Sequence, residues 1–315
     1  MRKYLLKRLL IMIPVFFGIT IMVFCLVNWA PGSPVDAMIT DTMTAEDIEE
    51  LRINMGLDEP IYIQYGKWMG RMLTGDLGYS YRTKAPVIHD IAERIGPTLI
   101  LMGTVLGVSV ILGVFLGAMA AYKPYTVLDY TASGLAFVGS GMPTFFIALI
   151  FIYYFSVKLG ILPTGGMYAN ASKQTFDELI RHMILPTAVM SISMVGNYIR
   201  QTRSAMLEVL GEEYIKMSRA KGMREKRVVL LHGLRNAMLP VITTIGLSVP
   251  TLVGGSVVTE QIFGWPGIGS LMVLSVTYRD YPVIMGITVY IAVAVMAVNL
   301  LIDLLYGLFD PRVRN

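Results

Sequence analysis

Six blocks of apolar residues, 9–29, 98–122, 133–157, 182–199, 240–259 and 282–306, recur along the chain. A helix needs about 20 such residues in a row to cross the hydrocarbon core of a bilayer. The blocks therefore predict an all-α polytopic membrane protein with about six transmembrane helices. Composition agrees, because only 15% of the 315 residues are charged and 55% are hydrophobic, against about 25% charged in a soluble domain. A soluble fold has no place for that much apolar surface.

The fourth block is the weakest, being short and carrying Ser191, Ser193, Gly196 and Asn197. It counts as a span because dropping it puts the most basic loop of the chain on the wrong side of the membrane. The first block follows Arg2, Lys3, Lys7 and Arg8, as the apolar region of a signal peptide does. It is longer than such a region, and Ala30, its small-residue stop, precedes Pro31, so an uncleaved anchor is expected. Lys and Arg gather at the N-terminus, in the loop 200–235 and in the tail at Arg312 and Arg314. Cytoplasmic segments retain such residues. Both termini and the basic loop are thus expected in the cytoplasm.

That orientation divides the chain into a cytoplasmic start with the first span (1–30), an external cap (31–97) and a core of about five helices (98–315). Acidic residues outnumber basic ones in the cap. Thr44 opens a Thr-x-x-Asp capping pattern for a short helix, 45–54, that Gly56 ends. Trp68, Tyr62, Tyr65, Tyr79 and Tyr81 supply aromatic surface for an interface or for packing at the membrane surface.

Several chemistries find no support. Cys25 is the single cysteine, which excludes an intrachain disulfide, and packing is its default role. His89, His182 and His232 lie in separate segments with no carboxylate at metal-ligand spacing, so no metal site is expected. The chain has no nucleophile elbow and no Gly-x-x-x-x-Gly-Lys-Ser/Thr phosphate loop, so energy from ATP has to arrive through another chain. The spans also lack the strings of acids and bases that mark proton relays. Asp303 is the clearest ionisable residue within a span. It either pairs with a base such as Arg200 or Arg203 or sits at a water-exposed helix end.

Within the membrane, Gly103-x-x-x-Gly107 and Gly113-x-x-x-Gly117 place small residues on one face for close helix approach. Gly139, Gly141 and Pro143 are expected to loosen the third span, and Pro186 the fourth. Asn197, Ser191, Ser193, Tyr153 and Tyr154 either line a polar path or satisfy one another across helices.

The most informative stretch is the basic loop 211–240, which reads as two short helices hinged at Gly222. Glu212 and Glu213 begin the first, Arg219 and Lys221 end it in accord with the helix dipole, and Gly222 suits the left-handed cap. Met217 and Ala220 share one of its faces. The second helix leads to Pro240, which is expected to open the fifth span at its first turn. On these features alone the element is a small apolar and basic knob along the membrane surface, either a lipid-headgroup anchor or an unpartnered positive-inside loop.

Arg219-Ala220-Lys221-Gly222, followed by His232-Gly233-Leu234-Arg235-Asn236-Ala237-Met238-Leu239-Pro240, resembles the EAA coupling loop of ABC-importer permeases in the oligopeptide, dipeptide and nickel branch. It departs from the broader pattern in carrying Lys216 where an acid is usual and Arg235 where proline is usual. The resemblance runs along the whole chain. Ala30-Pro31-Gly32-Ser33-Pro34 is similar to the branch's turn after the first span, with Ser33 in place of its acid. Gly56-Leu57-Asp58 and the run from Leu73 through Asp76 to Gly78 are similar to its external-loop signatures. Phe263 to Gly269, including Trp265, together with Arg279-Asp280-Tyr281-Pro282, resemble the loop before its last helix, and Asp310 to Arg314 its tail.

The resemblance implies a type I ABC-importer permease that forms half of a translocation path for di- or oligopeptides, with nickel or oligosaccharides as alternative cargo. It implies a homologous second permease, two P-loop ATPase subunits and an extracytoplasmic solute-binding protein as partners, in a prokaryotic inner membrane, with lipid around the chain and no nucleic acid. No cofactor is implied here, ATP and Mg being held by the partner subunits, and this subunit does no covalent chemistry. The coupling loop becomes 200–239, with Glu213, Lys216, Arg219, Ala220, Lys221, Gly222, His232, Arg235, Asn236 and Pro240 at or beside the ATPase contact. Asp76, Trp265, Arg279 and Asp280 become candidates for external contacts. A self-sufficient secondary carrier is the reading from another class, and it assigns Asp303 a direct role.

Overall fold

The computed structural model describes residues 2–29, 35, 39, 43–54, 56–169 and 174–309. The turn at 30–34 and the tail at 310–314, both singled out in the sequence, lie outside the described residues. Within them the chain is helical, with one isolated bridge between Tyr79 and Pro86. Among the described residues five helices are long and apolar enough to cross a membrane, and a bent helix pair makes up to six. The chain forms two compact units, 1–96 with 267–315, and 97–266. These boundaries differ from those of the three expected segments, because the last helices pack with the N-terminal part.

In the first unit, α1 (Arg2–Trp29) runs antiparallel to the last helix, α14 (Tyr281–Phe309). Arg8 near the start of α1 reaches Asp303 near the end of α14 at 3.0 Å. Asp303 is therefore paired, but with Arg8 rather than with Arg200 or Arg203. At the other end Phe24 and Val289 form a core with Trp68, Met69 and Met72 of α3 (Ile61–Leu73). The cap thus folds onto α1 and α14 by burying part of its aromatic surface, while Tyr62 and Tyr79 remain exposed. The helix α2 (Ala45–Asn54) starts as expected. Asp47 N–H donates to Thr44 Oγ1 (3.2 Å), and Thr44 N–H donates back to Asp47 Oδ2 (2.8 Å), holding that carboxyl below its usual pKa. Gly56 then turns the chain at φ +68°.

The helix α4 (Val87–Tyr122) begins eleven residues before the expected span and continues through Pro97. Val87 and Ile91 pack with Ile268 and Leu271 of α13 (Ile268–Thr277) and with Val283 and Ile287 of α14. Pro282, second in α14, lacks only an N–H that no helix start can satisfy internally.

The second unit is organised around α7 (Phe176–Gly211), the fourth apolar block. Its low hydropathy has a physical reason. In its most apolar window 44% of residues are buried inside the protein, against 17% for α1 and 28% for α14, so protein covers more of it than of those helices. The helices α5 (Val127–Gly141) and α6 (Thr144–Phe151, continued by a π-helical segment Ile152–Lys158) were expected as one span. They meet instead at 103°. Met142 precedes Pro143 and adopts ψ 134°, because a residue before proline is driven out of the helical region.

Small residues let α7 approach its neighbours. A Cβ added to Gly113 would lie 2.3 Å from Tyr198 Cβ, and one added to Gly117 would lie 2.7 Å from Thr202 Cβ. Gly103 and Gly107 have nothing within 4 Å at that position, so only one of the two repeats mediates packing in this unit. Gly113→Ala should cost about 1–3 kcal/mol of stability by overpacking, whereas Gly107→Ala should stay within about 0.5 kcal/mol of neutral. Thermal unfolding of the two variants in one detergent measures the contrast.

The chain then passes through α8 (Glu213–Ala220) and α9 (Glu225–Arg227), a π-helical segment Val228–Leu234, and α10 (Arg235–Ser248). The fifth span therefore begins at Glu225, not at Pro240, which lies inside α10. A widened helical turn just before an interior proline is one way a membrane helix re-satisfies the backbone groups that proline frees. The span ends in α11 (Thr251–Gly254) and is broken by Gly255 (φ +67°, ψ −171°), five residues before the expected end. Ser256 caps α12 (Val257–Ile262), whose buried Glu260 accepts from Thr98 Oγ1 (3.1 Å).

Candidate functional site

On α7, Asn197, Gln201 and Ser204 are four and three apart, so they share one face. On α10 and α11, Thr244, Ser248 and Thr251 repeat that spacing. The two stripes line a groove of about 690 Å³, whose wall also includes Tyr198 and Arg200. The Tyr198 hydroxyl donates to Ser248 Oγ at 3.0 Å. Polar side chains at membrane depth face a bundle interior or a water-filled cavity, and here they face the groove. Ser191, by contrast, is buried against α4 within 3.5 Å of the Val105 carbonyl oxygen.

The basic side chains Arg200, which lines the groove, and Arg203, farther along α7, are both engaged. Arg200 donates to Asn197 Oδ1 and, across to α5, to the Ala136 carbonyl (3.2 Å) and Ser140 Oγ (3.0 Å). Arg203 forks onto buried Asp129 of α5, with Nε 2.5 Å from Oδ1 and Nη2 2.8 Å from Oδ2. The groove thus includes Asn197 as one of its proposed path residues, whereas Asp303 belongs to the other unit. Sequence reading missed Gln201, Ser204, Thr244, Ser248 and Thr251. Their signal was the matching period of polar residues running past the end of the fourth apolar block and within the fifth.

At one end both walls continue into the basic loop. The helix α7 ends at Gly211, about 10 Å beyond Ser204 at 1.5 Å per residue, and α8 follows at once. Ile215 anchors α8 by complete burial, while Val229 packs with Ala205, Met206 and Ala237. Gly233 lies in the same contact, where a Cβ would stand 3.1 Å from Leu210 Cδ2. Glu213, Lys216, Met217, Arg219, Ala220, Lys221, Arg235, Asn236 and Pro240 remain exposed, and His232 is half-buried.

Gly222 has φ +75°, and its N–H donates to the Arg219 carbonyl at 2.9 Å. Across this turn Arg219 grips Glu225 with two bonds (3.1 and 2.8 Å), which hold the guanidinium pKa above its usual value. Glu225 was not anticipated; an acid six residues after Arg219, across a glycine turn, was its signal. Asn236 Nδ2 donates to the His232 carbonyl (2.8 Å) and so serves the π-helical segment. The result is a firm, solvent-facing knob whose exposed tip mixes acid, base and apolar surface.

The proposed external-contact residues take other places. Trp265 is completely buried, its Nε1 donating to the Pro97 carbonyl at 2.9 Å. Asp280 is 2% exposed and accepts from Ser80 Oγ (2.5 Å), Tyr81 N–H (2.9 Å) and Arg82 N–H (3.3 Å). Both side chains are engaged inside the chain and are not contact surface. Asp76 is exposed and caps Gly78 N–H (2.9 Å), and Arg279 is exposed in a left-handed turn at φ +54°. Among the described residues no group of His, Cys, Asp and Glu could hold a metal ion.

Family comparison matches residues 1–102 to the N-terminal component and 113–315 to the main component of binding-protein-dependent transport system inner membrane proteins. The chain is 43% identical to the oligopeptide transport system permease protein AppB of Bacillus subtilis, over 99% of both chains. It is 37% identical to the dipeptide transport system permease protein DppB of Escherichia coli K12, over 100% of this chain and 99% of the relative. The di/tripeptide transport system permease protein DppB of Pseudomonas aeruginosa is also 37% identical, with the same coverage.

Proposed function

We propose, on the premise that this chain belongs to the family of binding-protein-dependent transport system inner membrane components, that it is the permease subunit of an ATP-driven importer of di- or oligopeptides. It is a multi-pass membrane protein of the type I ABC-importer permease class. One observation carries the coupling: the two helical walls of the polar groove run directly into the two arms of the exposed knob at Gly222. A push on the knob therefore moves both walls, which is how alternating access is driven without catalysis in this chain.

The finer assignments rest on the family and on chemistry. The groove is half of the path, and a homologous second permease supplies the other half. Two P-loop ATPases, holding ATP and Mg, meet Lys216, Met217, Ala220 and Lys221 at the knob. A solute-binding protein delivers cargo on the cap side, and both termini face the cytoplasm in accord with the positive-inside rule. Peptide cargo is supported by the names of the relatives.

Reconstitution in liposomes tests the reading. Gentle purification should recover a second permease and two ATPases with this chain. Uptake of a dipeptide should then require ATP and the binding protein. Uptake of only a nickel chelate or an oligosaccharide would overturn the cargo assignment. Transport by this chain alone would establish the secondary-carrier class instead.

A further inference from the structure

We propose that Arg200 gives the cargo path a charge preference, favouring peptides with an acidic side chain over peptides with a basic one. The assignment rests on the permease reading above and adds to it a property of the cargo. Arg200 is exposed, and among the residues that line the α7 groove it alone carries a formal charge. The other polar groups of that lining are amides and hydroxyls.

Two arginines lie three residues apart on α7, and their charges are matched differently. Arg203 forks onto Asp129, so its charge is neutralised inside the protein. Arg200 makes three bonds, and every acceptor is neutral: the Ala136 carbonyl (3.2 Å), Ser140 Oγ (3.0 Å) and Asn197 Oδ1 (2.5 Å). Asp129 is the single acid of α5, and α10 and α11, which form the facing wall, contain none. The nearest acid on α7 itself, Glu208, lies eight residues away. That is about 12 Å along the helix axis, beyond the Debye length of about 8 Å at physiological ionic strength. With Asp129 engaged by Arg203, one positive charge at the groove is left unmatched.

The guanidinium is also held in place. Its bonds to Ala136 and Ser140 tie it to α5, so it is not free to swing away from an approaching cation. A guanidinium has five N–H donors, and three bonds leave at least two for water or cargo. The terminal charges of a free dipeptide cancel, so its side chain sets its net charge. A glutamyl side chain passes Arg200 with attraction and offers its carboxylate to the free donors. A lysyl side chain passes a fixed like charge, in a cleft whose low-dielectric walls concentrate the field.

ATP-driven uptake of alanyl-glutamate and alanyl-lysine into liposomes holding the assembled transporter tests this, with each peptide saturating the same binding protein. The ratio of maximal rates, alanyl-glutamate over alanyl-lysine, should fall about threefold or more in Arg200→Gln relative to the parent. Arg200→Lys keeps the charge and should stay near the parent ratio. Gln201→Glu leaves Arg200 and its three bonds in place and adds an acid to the same wall, so the ratio should fall there too, even where an Arg200 variant assembles poorly. Because all variants share one binding protein, its own preference cancels from the comparison. A ratio unchanged in both Arg200→Gln and Gln201→Glu would mean that Arg200 only ties α7 to α5, and would overturn the preference while leaving the permease reading intact. Absence of ATP-driven uptake of either peptide by the parent assembly would instead overturn the permease reading, and the preference with it.

Discussion

Gly222→Pro is expected to reduce ATP-coupled uptake by about tenfold or more, equivalent to ~1.4 kcal/mol at the coupling step, while leaving membrane insertion intact. The residue sits at φ +75° and donates its N–H to Arg219. Proline fixes φ near −65° and has no N–H, so the turn cannot form and the Arg219–Glu225 clasp loses its geometry. Nothing lies within 4 Å of a Cβ built at this position, so the damage is conformational and local. Gly222→Ala isolates the φ term, at about 1–2 kcal/mol, and should have an intermediate effect. ATP hydrolysis by the assembled complex, measured with uptake, separates lost coupling from lost assembly. Full coupled uptake by the proline variant would remove the knob from the mechanism.

The span count and the coupling turn were legible because each rests on a local rule. A bilayer sets span length, and a left-handed turn selects glycine, so the apolar blocks and Gly222 announced themselves. Helix ends were less legible. Proline at 240 reads as a start by its preference for the first turn, yet charged Glu225 to Arg227 already belong to the same helix. Pro143, beside Gly139 and Gly141, was read as loosening a helix and in fact divides it at 103°. Hydropathy undervalued α7, since a helix solvated by protein is free to carry the serines and asparagine that a lipid-facing helix avoids.

Pairing was the least legible feature. The partner of Asp303 depends on the antiparallel packing of α1 and α14, which no local pattern encodes, so Arg8 went unseen. Trp265 and Asp280 were noticed as motif residues, but only the fold shows that they hold its interior together. The groove falls between these cases. Its polar spacing was present past the end of the fourth block and within the fifth, and only the packing of α10 against α7 brings the stripes together.

Removing the carboxylate of Asp129 should destabilise the second unit by about 3–5 kcal/mol, the usual cost of orphaning one member of a buried ion pair. Asp129 has 3% of its side chain exposed and Arg203 26%, and both oxygens of the carboxylate are engaged by the guanidinium. The same carboxylate accepts from Tyr125 N–H at 2.8 Å, where the chain turns through a left-handed residue (φ +62°) into α5. Asp129→Ala therefore strands a cation on α7 and releases the turn that begins α5. Replacing both partners with apolar residues, Asp129→Leu with Arg203→Met, removes the stranded charge and should recover much of the loss, because a well-packed apolar pair often matches a buried ion pair. Thermal unfolding of Asp129→Leu, Arg203→Met and the double variant in one detergent closes the cycle. Additive losses would show that the pair is not energetically coupled. A double variant more stable than Asp129→Ala, yet slow in uptake, would assign the pair to holding α7 in register with α5 during the transport cycle.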